Sequence, residues 1–177
     1  LLPIELLIAL GVKISSPGPV FIRQTRVGKQ NRPFTLYKFR SMKALAADGS
    51  AETNGAAWTK AKDDRTTFFG KFLRASHLDE LPQLLNILRN ELSFVGPRPE
   101  RPELVKVIEG DVPYYDIRHL VKPGITGWAQ INYRYGASVD DAYSKLEYDL
   151  YYLKNRSLIM DVAIILKTLK SFFINQK

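Results

Sequence analysis

The stretch HLDELPQLLNIL, residues 77–88, sets two carboxylates, Asp79 and Glu80, side by side just ahead of Pro82. Acids at a helix start commonly offset the positive end of the helix dipole, which is one reading of the pair. Proline lacks an amide proton and is tolerated within a first helical turn. Pro82 therefore predicts Asp79 near an N-cap and Glu80 in the first turn of a helix. Leu81, Leu84, Leu85 and Leu88 of that helix would share one face. The free amides of such a turn form an anion site. A carboxylate ionised there can attack phosphorus or hold Mg²⁺ through hard oxygen ligands, which is the other reading. Arg74 lies five residues upstream, and Arg98 and Arg101 follow in the proline-rich GPRPERP. The planar guanidinium fork grips phosphate oxygens in pairs. The spacing favours phosphate chemistry over acid–base work on a neutral substrate.

Composition narrows the field further. A chain of 177 residues that is 45% hydrophobic and 11% aromatic can bury a core and is not a disordered tail. It contains no cysteine, which excludes disulfides, thiolate metal sites and cysteine nucleophiles. Two histidines do not suffice for a histidine-rich zinc site. The formal net charge of +8 favours anionic partners, whether nucleic acid, acidic lipid or phosphorylated small molecules.

The elements that must position the carboxylates can be read along the chain. LLPIELLIALGV lacks a basic leader and a small-residue cleavage site, so it is not a signal peptide. It is too short to cross a bilayer of about 30 Å as a helix. Two readings stay open for it: a re-entrant or interfacial segment bent at Pro3, or an ordinary buried helix. Pro17, Gly18 and Pro19 end any helix there. Residues 20–27 and 34–42 are rich in β-branched and aromatic side chains around the turn-forming GKQNR, which predicts a hairpin. Residues 44–62 predict a loop or a weak helix with a loop behind it, with Trp58 as an anchor. SFVGPRPERPE interrupts the helical pattern, and a short helix is expected near residues 104–108. Residues 121–136 read as turn-rich and strand-like. Ser138 followed by two aspartates marks a helix start, and Ala142, Leu146, Leu150 and Leu153 line one face of that helix. The last stretch, SLIMDVAIILKTLKSFFINQK, suits a helix in a membrane interface. Lys167 and Lys170 would face headgroups while Phe172, Phe173 and the aliphatic residues dip inward. A core helix is the other reading. No internal repeat is present.

Taken together and in order, SPGPVFIRQTRVG, PFTLYKFRSM, GKFLRASHLDELPQLLNIL, SFVGPRPERPE, VKPGITGWAQIN and LEYDLYYLKNRSLIMD cover nearly the whole chain. This series resembles the bacterial sugar transferases, the monotopic polyprenyl-phosphate phosphoglycosyl transferases. YGASVDDA is most similar to their exopolysaccharide-biosynthesis branch. The resemblance implies an α/β, predominantly helical, single membrane-associated domain with a small hairpin and amphipathic interfacial helices. Residues 1–16 would be a remnant of a re-entrant membrane helix, and residues 17–177 the catalytic domain with its C-terminal interfacial helix.

The resemblance also implies a reaction. The aspartate of the Asp-Glu pair attacks the sugar-linked phosphate of a UDP-sugar, UMP leaves, and polyprenyl (undecaprenyl) phosphate collects the phosphosugar. Carried over, Asp79 is the nucleophile and Glu80 a Mg²⁺ ligand. Arg74 and Arg98, then Lys38 and Arg40, are the phosphate contacts, and Asp149 is a weaker polar candidate. For Lys38 and Arg40 the alternative is surface charge or headgroup contact, and for Asp149 a pairing with a nearby base. Gly124 and Gly127 set a turn. The implied partners are the UDP-sugar, the polyprenyl phosphate and membrane lipids, at the cytoplasmic face of a bacterial inner membrane; a homo-oligomer is compatible with the sequence.

This chain departs from the family pattern at KDDR, where Asp64 replaces a frequent proline, and at His77, where a small hydroxyl or a basic residue is common. The rival class is a non-catalytic basic module binding membrane or nucleic acid. Nucleic acid is not expected, because the aromatics are not interleaved with the basic residues as a stacking surface requires. A catalytically inactive membrane scaffold is a third reading.

Overall fold

A computed structural model describes residues 2–45, 51, 64–133 and 138–174. Most of the predicted 44–62 loop, Trp58 included, lies outside the described residues, as do the side chains of Phe172 and Phe173. The chain is mostly helical and divides into two compact units. The first holds residues 1–24 and 35–86, and the second residues 25–34 and 87–177. The predicted hairpin forms from β1 (Phe21–Val27) and β2 (Pro33–Phe39), joined by a 3₁₀ turn at Lys29–Asn31.

In the first unit, α1 (Leu2–Ser15) and α2 (Phe68–Ser76) pack through Ile8, Val12, Phe39 and Leu73, all buried. Gly11 allows the close approach, since a Cβ there would stand 2.5 Å from the Phe69 ring. Ile4, Leu6, Leu7, Leu10 and Ile14 of α1 stay exposed. The helix is thus buried along one stripe and apolar on its open side. No helix among the described residues is long and apolar enough to cross a membrane.

Arg40 is the buried polar anchor of this unit, with only 1% of its surface exposed. Its guanidinium donates to the carbonyls of Pro19 (2.6 Å), Pro17 (2.9 Å) and Ser16 (2.8 Å), and to the Ser16 hydroxyl (2.5 Å). Pro17 and Pro19 have no amide hydrogen and cannot extend a helix or sheet ladder. The arginine therefore supplies donors to carbonyls that regular structure would leave unpaired. Burial lowers its pKa from the usual arginine value. Expected from the sequence as a phosphate contact, Arg40 instead has its fork turned onto the chain's own carbonyls.

The second unit contains α4 (Pro102–Asp111), α5 (Trp128–Asn132), α6 (Val139–Asn155) and α7 (Leu158–Ile174). Val27, Val105, Ile108, Val112, Tyr115, Ala142 and Leu146 form one core cluster, and Val95, Tyr152 and Ile164 another. Helix α6 begins as predicted, with Ser138 and Asp141 in a reciprocal capping box. The sequence reading missed a parallel pair, β3 (Ser93–Val95) and β4 (Gly124–Thr126), in register Ser93 to Gly124. Glycine is needed where these backbones meet: a Cβ on Gly127 would lie 2.2 Å from the Gly96 carbonyl oxygen. Residues 128–132, expected to be strand-like, are helical, and the expected short helix after the proline loop runs Pro102–Asp111.

Replacing Arg40 with methionine should destabilise the fold by on the order of 3 kcal/mol, because several buried carbonyls lose their donor. Arg40→Lys should recover only part of this, since one ammonium cannot reach what a fork reaches. Thermal unfolding of the two variants against the parent checks both statements.

Candidate active site

Helix α2 starts where Thr67 caps it, its hydroxyl accepting from the Gly70 amide at 2.9 Å. The Thr67 amide donates to the Ser41 carbonyl at 3.1 Å, tying this start to the chain just beyond β2. A Cβ on Gly70 would fall 1.8 Å from the Ser41 oxygen, so only glycine allows this approach. The helix ends at Ser76 because His77 adopts a left-handed conformation (φ 54°, ψ 17°). A 3₁₀ turn, Leu78–Gln83, follows and carries Asp79, Glu80 and Pro82; α3 is only Leu84–Leu88.

This corrects the sequence expectation of one α-helix entered at Asp79. The Glu80 amide donates to the His77 carbonyl at 3.1 Å, which closes the first turn of this 3₁₀ segment. Leu85 and Leu88 are exposed, while Asp79, Pro82, Gln83 and Asn86 are the buried positions of the run. The reason lies on β2. Asn86 accepts from the Tyr37 amide (3.3 Å) and donates to the Thr35 carbonyl (2.7 Å), so a polar side chain faces inward to serve the strand backbone.

A 3₁₀ turn has about three residues per turn, so neighbouring side chains diverge by about 120°. Asp79 is buried, at 8% exposure. Glu80 takes a more open direction and meets Lys38 of β2, whose Nζ lies 2.8 Å from Glu80 Oε1. Arg74 donates to the Thr66 hydroxyl at 3.2 Å, on the turn of α2 that precedes His77. Burial pushes the Asp79 carboxyl above the usual aspartate range and Glu80 adds to this, while Lys38, His77 and Arg74 pull the other way. Asp79, Glu80, Lys38 and Arg74 therefore share one electrostatic environment within the first unit. His77 belongs to it too; sequence reading marked that position only as a departure, and a left-handed histidine has no sequence signature.

Among the described residues no three acidic or histidine side chains converge as a ready metal cage. Mg²⁺ is commonly held by one or two carboxylates, with substrate phosphates and water completing its shell. Asp79 and Glu80 fit that pattern, with Glu80 the more open of the two.

The second unit holds the other predicted residues. Arg98 is half-buried, and its carbonyl accepts from Arg118 Nη2 at 3.0 Å. Arg118 is ion-paired to Asp149 at 2.8 Å, donates to the Tyr115 hydroxyl at 2.7 Å and lies over the Tyr115 ring. Burial works against the Arg118 charge, but Asp149 and Tyr115 outweigh it and hold the guanidinium protonated. Asp149 is thus the partner of a buried base, at 1% exposure. Arg118 went unnoticed in the sequence, where IRHL offers no spacing to mark it. Next to it, His119 is buried with no hydrogen-bond partner among the described residues on either ring nitrogen, and burial and then the Arg118 charge push it down to about 4.

The chain belongs to the bacterial sugar transferase family, whose model matches residues 1–175. It is 45% identical over 169 residues to the UDP-N-acetylgalactosamine-undecaprenyl-phosphate N-acetylgalactosaminephosphotransferase of Aeromonas hydrophila, covering 96% of this chain and 39% of that protein. It is 46% identical over 168 residues to the UDP-glucose:undecaprenyl-phosphate glucose-1-phosphate transferase of Xanthomonas campestris pv. campestris, covering 94% and 34%. With exopolysaccharide production protein PSS of Rhizobium leguminosarum bv. phaseoli it shares 42% identity over 176 residues, 97% of this chain and 86% of that one. The chain thus spans well under half the length of the first two relatives and most of the third.

The His119 environment makes stability depend on pH. The folded state disfavours the protonated ring, so the fold is favoured fully above the ordinary value of 6.5 and less so as pH falls towards about 4. The loss over that window should approach roughly 3 kcal/mol, and His119→Gln should remove most of this slope. Chemical denaturation at a series of pH values measures it.

Proposed function

We propose that this chain carries the catalytic centre of a phosphoglycosyl transferase, moving a phosphosugar from a UDP-sugar to undecaprenyl phosphate. The observation that carries the reading is the 3₁₀ turn at 78–83. It presents a buried aspartate beside a partly buried glutamate, with Lys38 and Arg74 acting on the same charge. Family membership and the activities for which the relatives are named support the substrate classes.

Asp79 acts as the nucleophile. One carboxylate oxygen attacks the sugar-linked phosphorus, an Asp79–phosphorus bond forms, and the bond to the bridging oxygen breaks so that UMP leaves. An oxygen of the lipid phosphate then attacks the same phosphorus. The acyl-phosphate bond breaks, giving the polyprenyl-diphosphate sugar and the free carboxylate. Covalent catalysis lets a water-soluble donor and a lipid acceptor use one site in turn. Burial thins the water around the Asp79 carboxylate, which favours attack, and raises its pKa, a shift that Lys38 and Arg74 partly offset. Glu80, with the donor's phosphate oxygens, would hold Mg²⁺, which supplies charge neutralisation on the diphosphate when bound. Arg74 and Lys38 are the proposed phosphate contacts of the first unit, and Arg98 is proposed as a phosphate contact on the family resemblance alone. Arg40 and Asp149 are assigned supporting roles by the bonds they make.

The acceptor's setting would be the cytoplasmic face of a bacterial inner membrane. Supporting this, α7 turns Leu158, Ile159, Val162, Leu166 and Leu169 to the exterior while Ile164 alone among its described side chains is fully buried. Lys167 is drawn to Asn132 (2.6 Å) and over Trp128. Lys170 remains exposed for headgroups. Helix α1 shows a similar open apolar side in its own unit.

Asp79→Asn should reduce UMP release from a UDP-sugar by at least about a thousandfold. It should also raise the melting temperature slightly at neutral pH, because a charge disfavoured by burial is removed. Glu80→Gln should leave the fold intact and lower turnover by about a hundredfold or more, least severely at high Mg²⁺. Coupled UMP assays across a Mg²⁺ series, with thermal melts, check these outcomes. Undiminished UMP release by Asp79→Asn would end the assignment.

A further inference from the structure

Glu80 is assigned to the divalent cation, yet its carboxylate already has a cation. Lys38 Nζ lies 2.8 Å from Oε1, with 19% of the lysine side chain and 14% of the glutamate side chain exposed. An ion pair that far out of water is screened less than a surface pair. The anchor of this lysine is fixed: Phe39, the next residue of β2, is 1% exposed and stacks on Phe21 at 5.1 Å. A lysine stem has four rotatable carbons, and an ammonium is a compact charge that changes partners without needing a set geometry. A Mg²⁺ or Mn²⁺ ion sits about 2.1 Å from a carboxylate oxygen. A doubly charged ion at that distance and an ammonium on the same small carboxylate repel one another strongly.

We propose that Lys38 is the resident counter-ion of Glu80, which the divalent cation displaces, and that the freed ammonium then engages a phosphate oxygen of the donor. The inference rests on the reading of Glu80 as a metal ligand and deepens it. Lys38 thereby performs two tasks. Before the metal and donor arrive it keeps the adjacent carboxylates from repelling each other, and afterwards it adds a positive charge to the diphosphate. It is a positioning residue for Glu80 and a phosphate contact only in the loaded site. The design also weakens metal binding in the absence of donor, because the ion must replace an existing partner.

The test is Mn²⁺ affinity, measured by electron paramagnetic resonance on the whole chain without donor. Lys38→Met should bind Mn²⁺ about five- to tenfold more tightly than the parent, and Lys38→Gln should do the same through a polar side chain. Lys38→Arg should stay within about twofold of the parent, because it preserves the competing charge. Lys71→Met, which removes an exposed lysine of α2, should also stay within about twofold, separating direct competition from net charge. Adding Glu80→Gln to Lys38→Met should erase the gain. UMP release by Lys38→Met should fall even as its metal affinity rises, whereas loss of a merely structural residue would lower both. Unchanged or weaker Mn²⁺ binding in Lys38→Met and Lys38→Gln, with native circular dichroism, overturns the proposal. An equal gain in Lys71→Met overturns it too. If Glu80→Gln alone weakens Mn²⁺ binding while the Lys38 variants show no gain, the Lys38 inference falls and the Glu80 reading survives. If Glu80→Gln binds Mn²⁺ as the parent does, both fall.

Discussion

Adjacent carboxylates drawn out of water repel each other, and the first unit is arranged around the cations that offset this. Asp79 and Glu80 are neighbours in the chain, and burial already works against the Asp79 charge. Lys38 must therefore be delivered from β2, and Arg74 from the last turn of α2. The delivery depends on contacts that look unrelated to chemistry. Gly70 seats α2 against the Ser41 carbonyl, and Arg40 ties down the Ser16–Pro19 segment two residues beyond Lys38. His77 then breaks the helix so that the two acids leave a tight turn in different directions. An uninterrupted helix would set successive side chains about 100° apart and let α2 run through the site.

The second unit solves a similar problem with a different device. Its buried charges are satisfied internally: Asp149 with Arg118, and Arg118 with Tyr115 and the Arg98 carbonyl. A fully buried ion pair is poor evidence for stability, since desolvation offsets much of its attraction. Breaking one partner leaves a bare charge, however, and the pair is thereby committed to one geometry. Here that geometry fixes the backbone of Arg98 within the proline-rich loop. On the proposed reading, a rigid phosphate contact is the benefit.

Much of the architecture was legible because it is local. β-branched and aromatic residues on either side of GKQNR gave the hairpin within a residue or two at most ends, and Ser138 followed by two aspartates gave the start of α6. The β3–β4 pair was not legible. Three-residue strands joined across some thirty residues leave no periodicity, and the glycines of PGITGW read as a turn when their purpose is close backbone approach. The carboxylate pair itself stood out through residue type, but its conformation did not, since nothing in the residue types around it marks His77 as left-handed. Arg40 and Asp149 were noticed for charge alone, and charge does not reveal that a group is turned inward. Arg118 carried no signal, because a buried salt bridge between residues 31 apart is set by the fold. The resemblance to a family supplied the reaction, which spacing alone could only narrow to phosphate chemistry.

The central claim is a covalent bond at Asp79, and locating that bond tests it most directly. The protein would be mixed with Mg²⁺ and a UDP-sugar in the absence of lipid acceptor, quenched in acid, digested and mapped by tandem mass spectrometry. The account predicts a phosphosugar on the peptide spanning Asp79, assigned to that carboxylate and removed by hydroxylamine, as an acyl phosphate is. A phosphosugar located on any other residue, or UMP produced in step with sugar consumption while Asp79 stays unmodified throughout, would contradict it.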